Sequence, residues 1–544
     1  MKIFLTISAV LSLALLTAGQ ATEDHSQLVF GGHRSHTRPS LNLEGGITKV
    51  SYPPELKNHA LVRFNGRKHH DVVFHHPGEW MYLDEHNLKP HDDPLERMLD
   101  HLDVWSRSAD SEEILAHFTA HQFEHFERMM RLKGVPEGKD DWEVVERNLQ
   151  DVADREATQI TNKNIENRLQ ELAQGEDAFL TEIDDSGEEV ESSGLFFDGL
   201  NQVMKKKHGK KDKPKKKRVN LDTWFTNYHP HNEIKDFFLQ LADDYPELVT
   251  FIPSIGQTVE GRDIFAVRIT EKEEDGSVKE KPQIWWQGLQ HAREWAGGST
   301  VQYLAHHFTS NFGKKDGVTA ALRDVELIIV PVMNIDGYDY TWNKNRLWRK
   351  NRRQNSLGSW GVDLNRNWDD HFAEGGSSAF PWSETYHGPS AASEPEVQAM
   401  QKFFGEQKRI VGAIDFHCYS QLVLRPQGWT TKPSIHEEEH KFVGDKIVSL
   451  IKSVHGKKYI SEPSIALYKT TGAGSDYFYG DKAKADNNGQ SIYSYTIELR
   501  PSDTNPGGRS GFILPPEEIV PLGEEIVAAM DFFVAYVVAN PLKG

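Results

Sequence analysis

The stretch Gln283-Ile-Trp-Trp-Gln-Gly-Leu-Gln-His-Ala-Arg-Glu-Trp295 decides how the rest of the chain is read. Gln283 to Trp286 is an apolar run of strand type, Gln287-Gly288 ends it, and a helical pattern follows Glu294. A strand that stops, turns and feeds a helix belongs to an α/β sheet. Its turn lies at the C-terminal edge, where such folds carry their sites. In that turn stand His291 and Glu294, an imidazole and a carboxylate three positions apart, near enough to share one zinc ion. Spacing alone does not select them, because His-x-x-Glu also begins at His76, His121, His371 and His436 in a chain with 26 histidines. The strand in front of His291 does.

Further strands of the same sheet are read at Glu326-Leu-Ile-Ile-Val-Pro-Val332, Gly412-Ala-Ile-Asp-Phe416 and Ile492-Tyr-Ser-Tyr-Thr-Ile497. A helix is expected to start at Ser393-Glu-Pro-Glu396, with Ser393 capping its first turn. His417 follows the strand that ends at Phe416 and supplies a third ligand. Two histidines and a glutamate leave one coordination position open, which is the pattern of catalytic rather than structural zinc. Cys418, the only cysteine, is adjacent to His417 in a strand and so points to the opposite face. It reads as a buried residue, neither nucleophile nor ligand.

Outside this region, 544 residues exceed what one core usually organises, so two folded parts joined by a linker are expected. Met1-Lys2, an apolar run to Leu16 and small residues up to Ala21 make a secretory signal over 1–21. That run is too short for a comfortable membrane span. A net charge of −19 argues against a general nucleic-acid binder, and a secreted chain with a single cysteine has no internal disulfide. The chain contains no Asn-x-Ser/Thr sequon.

A small α/β region is read over 22–160. Its strands lie at Ala60–Phe64 and Leu99–Val104, and its helices at Phe118–Met130 and Trp142–Val152. Residues 161–218 read as a charged linker. Lys205 to Arg218 carries ten Lys or Arg in fourteen positions and ends on Lys215-Lys-Lys-Arg218, a protease-accessible dibasic end. Residues 219–544 form the larger α/β part, a mixed sheet between helices.

Residues 219–544 resemble the carboxypeptidase A/B family of secreted zinc metallocarboxypeptidases. The motifs that carry this are His-Ala-Arg-Glu-Trp at 291, Asn-Arg-Leu-Trp-Arg-Lys at 345 and Val-Asp-Leu-Asn-Arg-Asn-Trp at 362. Ser-Glu-Thr-Tyr-His-Gly at 383, His-Cys-Tyr-Ser-Gln at 417 and Thr-Ile-Glu-Leu-Arg at 496 complete them. The resemblance implies that His291, Glu294 and His417 hold one zinc ion and that Glu498 is the general base. It also implies that Arg349 stabilises the oxyanion and that Asn365, Arg366 and Tyr468 bind the substrate's terminal carboxylate. Arg293 and Tyr419 match the subsites beyond the scissile bond. A disulfide found in mammalian members has its positions filled here by Ser359 and Trp382, so that loop is expected to be held by packing.

The N-terminal region resembles, more distantly, the family's pro-domain. It implies a zymogen in which that domain is an intramolecular inhibitor, released by a protease cutting near Arg218 in the secretory pathway, with a monomeric enzyme as product. The pocket for the terminal side chain aligns with Gly428, Pro463, Thr470 and Ser475. The small uncharged Ser475 implies C-terminal aromatic or large aliphatic residues, since a buried cation there lacks a partner. Asp476, if turned inward, would instead select Lys or Arg. An inactive peptide-binding homologue would have lost the base or a ligand, and Glu498, His291, Glu294, His417 and Asn365 all stand. The hormone-processing branch of the superfamily lacks an N-terminal pro-domain, unlike this chain.

Overall fold

The computed structural model describes residues 50–69, 102–107, 113–138, 141–176, 218–502 and 511–543. The chain divides into two units, Met1–Ile47 and Thr48–Gly544, and all described residues belong to the second. The expected signal segment and most of the basic run therefore lie outside the described residues.

The N-terminal part of that unit holds four antiparallel strands, β1 (Ala60–Asn65), β2 (Asp103–Arg107), β3 (Glu113–Phe118) and β4 (Trp142–Glu146), in the order β2-β3-β1-β4. Helix α1 (Ala120–Leu132) opens on a reciprocal capping box between Thr119 and Gln122. Val62, Phe64, Phe118, Phe126, Met130 and Trp142 make its core. The expectation of helix over Trp142–Val152 is corrected: Trp142–Glu146 pairs with β1 as β4. Trp142, Val144 and Val145 are aromatic and β-branched, residue types that fit a pleated surface better than a helix.

Helix α2 (Leu149–Glu176) also runs well past residue 160, where a linker was expected. Leu149, Ala153, Glu156 and Ile160 fall on one stripe of it and are buried. That stripe packs into the same core as the C-terminal region. Beyond it, Asn227 Nδ2 donates to Ile160 O (2.9 Å) and Asn164 Oδ1 (2.8 Å), and Asn167 Nδ2 donates to Thr226 Oγ1 (3.0 Å). A polar sequence that reads as solvated is thus helical because a partner surface satisfies it.

The C-terminal part is built on one mixed sheet of eight strands in the order β11-β10-β12-β9-β7-β8-β6-β5. These are β5 (Val249–Gln257), β6 (Asp263–Ile269), β7 (Gln283–Gly288), β8 (Glu326–Val330), β9 (Ile410–Cys418), β10 (Leu422–Arg425), β11 (Ile460–Pro463) and β12 (Tyr493–Leu499). β8, β7, β9 and β12 are mutually parallel and almost wholly buried, as strands covered on both faces must be. Among the covering helices are α3 (His231–Asp244), α4 (Trp295–Asn311), α5 (Pro395–Gly405), α6 (Glu437–His455), α7 (Gly474–Tyr479) and α8 (Ile519–Ala539). α5 starts at Pro395 with Glu394 at its N-cap and no side-chain cap bond, so Ser393 does not cap it. The Ser393 hydroxyl instead donates to Glu394 Oε1 (2.7 Å) and accepts from Asn367 Nδ2 (2.9 Å). The segment without the mammalian disulfide is tied by Lys350, whose Nζ donates to Pro381 O (3.2 Å) and Ser383 O (2.9 Å).

Candidate metal centre and active site

Two glycines bring the parts of the site together. A Cβ on Gly297 in α4 would sit 2.5 Å from Phe416 O of β9, and one on Gly288 would sit 3.0 Å from Gly297 O. Only bare backbone lets the start of α4 lie against the ends of β7 and β9. Glu294 is the N-cap of α4 but makes no side-chain cap bond. Its carboxylate turns to the histidines instead.

His291 Nδ1 lies 2.8 Å from Glu294 Oε1, His417 Nδ1 lies 2.9 Å from Glu294 Oε2, and the two Nδ1 atoms are 3.0 Å apart. All three side chains are buried and their ligand atoms fall within 4.8 Å of one another. It is the one such group among the described residues. Both Nε2 atoms face carboxylates, His291 on Asp363 Oδ1 (3.0 Å) and His417 on Asp415 Oδ2 (2.8 Å). An N–H on each Nε2 leaves a lone pair on each Nδ1, so two neutral imidazoles and a carboxylate converge with the donor set of a catalytic zinc site. Burial alone would raise the acid of Glu294, whereas positive charge on the His291 and His417 rings, when they are protonated, holds it well below the usual carboxylate range.

Glu498 sits on β12 directly opposite His417 on β9. Residues in register on adjacent strands share a face of the sheet, and Glu498 is half-buried at its rim. Arg349 is fixed from the other side: its Nη2 and Nε donate to Asp363 Oδ2 (2.9 and 3.3 Å), while Nη1 stands 3.8 Å from Glu294 Oε1. Asn365 and Arg366 lie on one 3-10 turn capped by Asp363, which accepts from Asn365 N (3.0 Å). Asn365 Oδ1 accepts from Gly474 N (2.9 Å), so its amide NH2 is the end presented elsewhere. The Arg366 guanidinium lies 5.8 Å from the ring centre of Tyr468, which is 40% exposed. Arg366 Nε is buried with no hydrogen-bond partner among the described residues, a donor waiting for an anion.

Ser475 lies in the first turn of α7 and its Oγ accepts from Thr496 Oγ1 (3.0 Å). Asp476 Oδ2 accepts from Gly428 N (2.8 Å), and a Cβ on Gly428 would be 3.3 Å from Thr470 Cβ and 3.2 Å from that same oxygen. Gly428, Thr470 and Asp476 therefore meet, with Pro463 at the end of β11. Burial pushes the acid of Asp476 up to about 7 against the opposing pull of the Gly428 N–H. The Cys418 thiol is buried and pushed well above its usual range, first by burial.

Arg293 and Tyr419 lie under the four-stranded part. Arg293 donates through Nη1 and Nη2 to the two carboxylate oxygens of Asp103 on β2 (2.6 and 2.8 Å). The Tyr419 ring meets Phe512 at 5.1 Å and Trp105 of β2 at 6.5 Å. A second pair spans the same boundary, in which Arg346 donates through Nε and Nη2 to Glu156 of α2 (2.5 and 3.0 Å), both side chains fully buried.

Sequence reasoning assigned no role to Asp363, Asp415, Gln290, Asp103 or Glu156. Asp363 stands inside the quoted motif at 362, and Asp415 stands two before His417 on one strand, hence on the same face. Both carried a signal.

A zinc carboxypeptidase family profile matches residues 234–529. The chain belongs to the zinc carboxypeptidase family. Among its relatives, carboxypeptidase A4 of Mus musculus is 36% identical over 300 residues, covering 55% of this chain and 67% of that protein. Carboxypeptidase B of Astacus astacus is 35% identical over 323 residues, covering 59% of this chain and 98% of that protein. The crystal structure of carboxypeptidase A from Helicoverpa armigera superposes with a TM-score of 0.63 at 23% identity, over 89% of this chain and 98% of that one, a likeness of fold. This zinc carboxypeptidase is thus a metallocarboxypeptidase hydrolase whose His291, Glu294 and His417 are positioned for the metal. Among its described residues no helix is long and apolar enough to cross a membrane.

Proposed function

We propose that this zinc carboxypeptidase hydrolyses the last peptide bond of peptides and proteins, with Glu498 as general base and Arg349 as oxyanion donor. The observation that carries this reading is the register of Glu498 opposite His417 on the rim of the metal centre. Zinc, when bound, polarises the scissile carbonyl and makes water more acidic. Glu498 then takes a proton from the attacking water and returns it to the leaving amine nitrogen. Arg349, locked by Asp363 with Nη1 toward Glu294, donates to the oxygen on which charge develops. Asn365, Arg366 and Tyr468 receive the terminal carboxylate, with the free Nε of Arg366 as the planar donor.

The terminal side chain enters beside Ser475, and aromatic or large aliphatic residues are preferred. Supporting this, the Asp476 carboxylate is engaged by the Gly428 N–H and burial pushes its acid up to about 7, toward the neutral form. The region before Val219 acts as an intramolecular inhibitor in a secreted, monomeric zymogen. Asp103 occupies the two-pronged face of Arg293, and Trp105 covers Tyr419 in the subsites beyond the scissile bond. Cutting near Arg218 releases the enzyme.

The test is to express the precursor, cut it, sequence the new N-terminus, and measure zinc content and kcat/KM on peptides ending in Phe, Leu, Lys and Arg. A low-activity precursor, a start close to Val219 and release of single C-terminal residues are expected. Full activity of the intact chain would refute the zymogen, and a Lys/Arg preference lost in Asp476→Asn would overturn the pocket reading.

A further inference from the structure

The two histidine ligands lean on carboxylates in very different surroundings. Asp363, behind His291, is shared with Arg349 (2.9 and 3.3 Å), with Arg366 at 3.9 Å and with the Asn365 N–H, so its charge is largely answered. Asp415, behind His417, has no cation within ion-pair distance among the described residues other than His417 itself. Its Oδ2 takes His417 Nε2 at 2.8 Å and the Gln290 amide at 2.7 Å, and its Oδ1 is buried with no hydrogen-bond partner.

The first two bonds in this chain have a determined direction, and a metal ion on His417 Nδ1 would determine the third, at Nε2, which also has Gln290 Nε2 at 3.4 Å. Trp368 Nε1 can only donate, and it donates to Gln290 Oε1 (2.7 Å), which turns the Gln290 NH2 toward Asp415. Asp415 Oδ2 accepts from that NH2, and from His417 Nε2 only if that nitrogen carries the proton. The lone pair of His417 is then on Nδ1, the atom that faces His291 and Glu294. An asparagine of the same shape would accept from His417 without burying a charge, whereas a buried carboxylate with one bare oxygen costs free energy unless its neighbour carries positive character.

We infer that Asp415 is a positioning residue for the metal centre, holding His417 in the Nε2–H tautomer through the Trp368–Gln290–Asp415 relay and making it the more electron-rich of the two histidine ligands. The carboxylate strengthens His417 as a donor because it polarises the Nε2–H bond, and no guanidinium competes for it as Arg349 does at Asp363.

The test uses the full chain loaded with zinc. Asp415→Asn is expected to fold with an unchanged circular dichroism spectrum yet bind zinc about 10–100-fold more weakly in competition with a chelator, the usual effect of changing such an outer partner. Its Co2+-loaded form is expected to show a shifted visible spectrum. A folded Asp415→Asn with wild-type zinc affinity and wild-type cobalt spectrum would overturn the inference. Should that variant fail to fold, long-range 1H–15N correlation of the histidine-labelled, zinc-loaded wild type decides. A proton on Nε2 of His417, with a more downfield resonance than that of His291, supports the assignment, and a proton on Nδ1 or no difference between the two rings refutes it. Neither readout depends on turnover, so a failure here is separable from a failure of the proposed reaction.

Discussion

The four-stranded and eight-stranded parts handle buried charge in opposite ways. Within the large sheet the buried carboxylates of Glu294, Asp363 and Asp415 face histidines and arginines of the same part. In the small part, Asp103 and Glu156 reach across to Arg293 and Arg346, and no cation of their own part answers them among the described ion pairs except His117 beside Asp103. The small sheet has a core of its own in Phe64, Phe118, Phe126, Met130 and Trp142. Its charges are complete only when it is docked. Interior packing makes each part, and two buried charge pairs join the apolar stripe of α2 in holding them together.

If the large part is self-contained, its chemistry breaks without disturbing the boundary. Glu498→Gln keeps the side-chain shape but cannot carry the proton, so kcat of the cut enzyme is expected to fall by about 10²–10⁴-fold with zinc content unchanged. Near-normal kcat would take Glu498 out of the mechanism. The precursor of this variant is expected to elute and melt like wild type.

The boundary itself breaks from the small side. Asp103→Ala leaves the Arg293 guanidinium buried without its anion, and Glu156→Ala does the same to Arg346. Removing one partner of a buried pair costs roughly 3–5 kcal/mol, so each variant is expected to loosen the N-terminal part and raise the activity of the uncut chain. Glu156→Ala has the larger structural effect, since both members of its pair with Arg346 are fully buried. Two uncut variants as inactive as wild type would show that these pairs do not hold the inhibited state.

The terminal-residue pocket gives a smaller effect. Ser475→Asp offers a cation a charged partner, and such hydrogen bonds contribute about 1.5–3 kcal/mol. The ratio of kcat/KM for Arg-ended over Phe-ended peptides is expected to rise roughly 10–100-fold. An unchanged ratio would mean that position 475 does not face the terminal side chain.

The smallest effect is on pH. His59 Nδ1 lies 2.9 Å from His117 Nε2, and His117 Nδ1 lies 3.1 Å from Asp103 Oδ2. Burial, and then the neighbouring His117, lower the His59 pKa from 6.5 to about 4. The packed state thus favours neutral His59 and the unpacked state binds the extra proton. Its stabilising contribution is full above about pH 6.5 and is lost as pH falls toward 4. Unfolding of the N-terminal part is expected to become easier over that window, and less so in His59→Gln. An identical pH slope in the variant would remove His59 as its source.

By itself the sequence determined the α/β class, the strand, turn and helix around His291, the position of His417 at the end of a strand, and the order of the motifs. Local patterns carry these because apolar periodicity and short spacing survive any folded context. It also placed Arg349, Asn365, Arg366 and Glu498, through motifs rather than physics. Only the tertiary structure decided that Trp142–Glu146 is a strand, since its partner β1 lies far away in the chain, and that α2 continues to Glu176, since Asn227 and Thr226 satisfy its polar face. Ser393 does not cap because Asn367 and Glu394 engage its hydroxyl. Asp363 and Asp415 stood in plain view, but what each carboxylate does depends on its neighbours. Besides its histidine, one is met by Arg349 and the other by an amide, and that is settled by which strands and turns lie side by side.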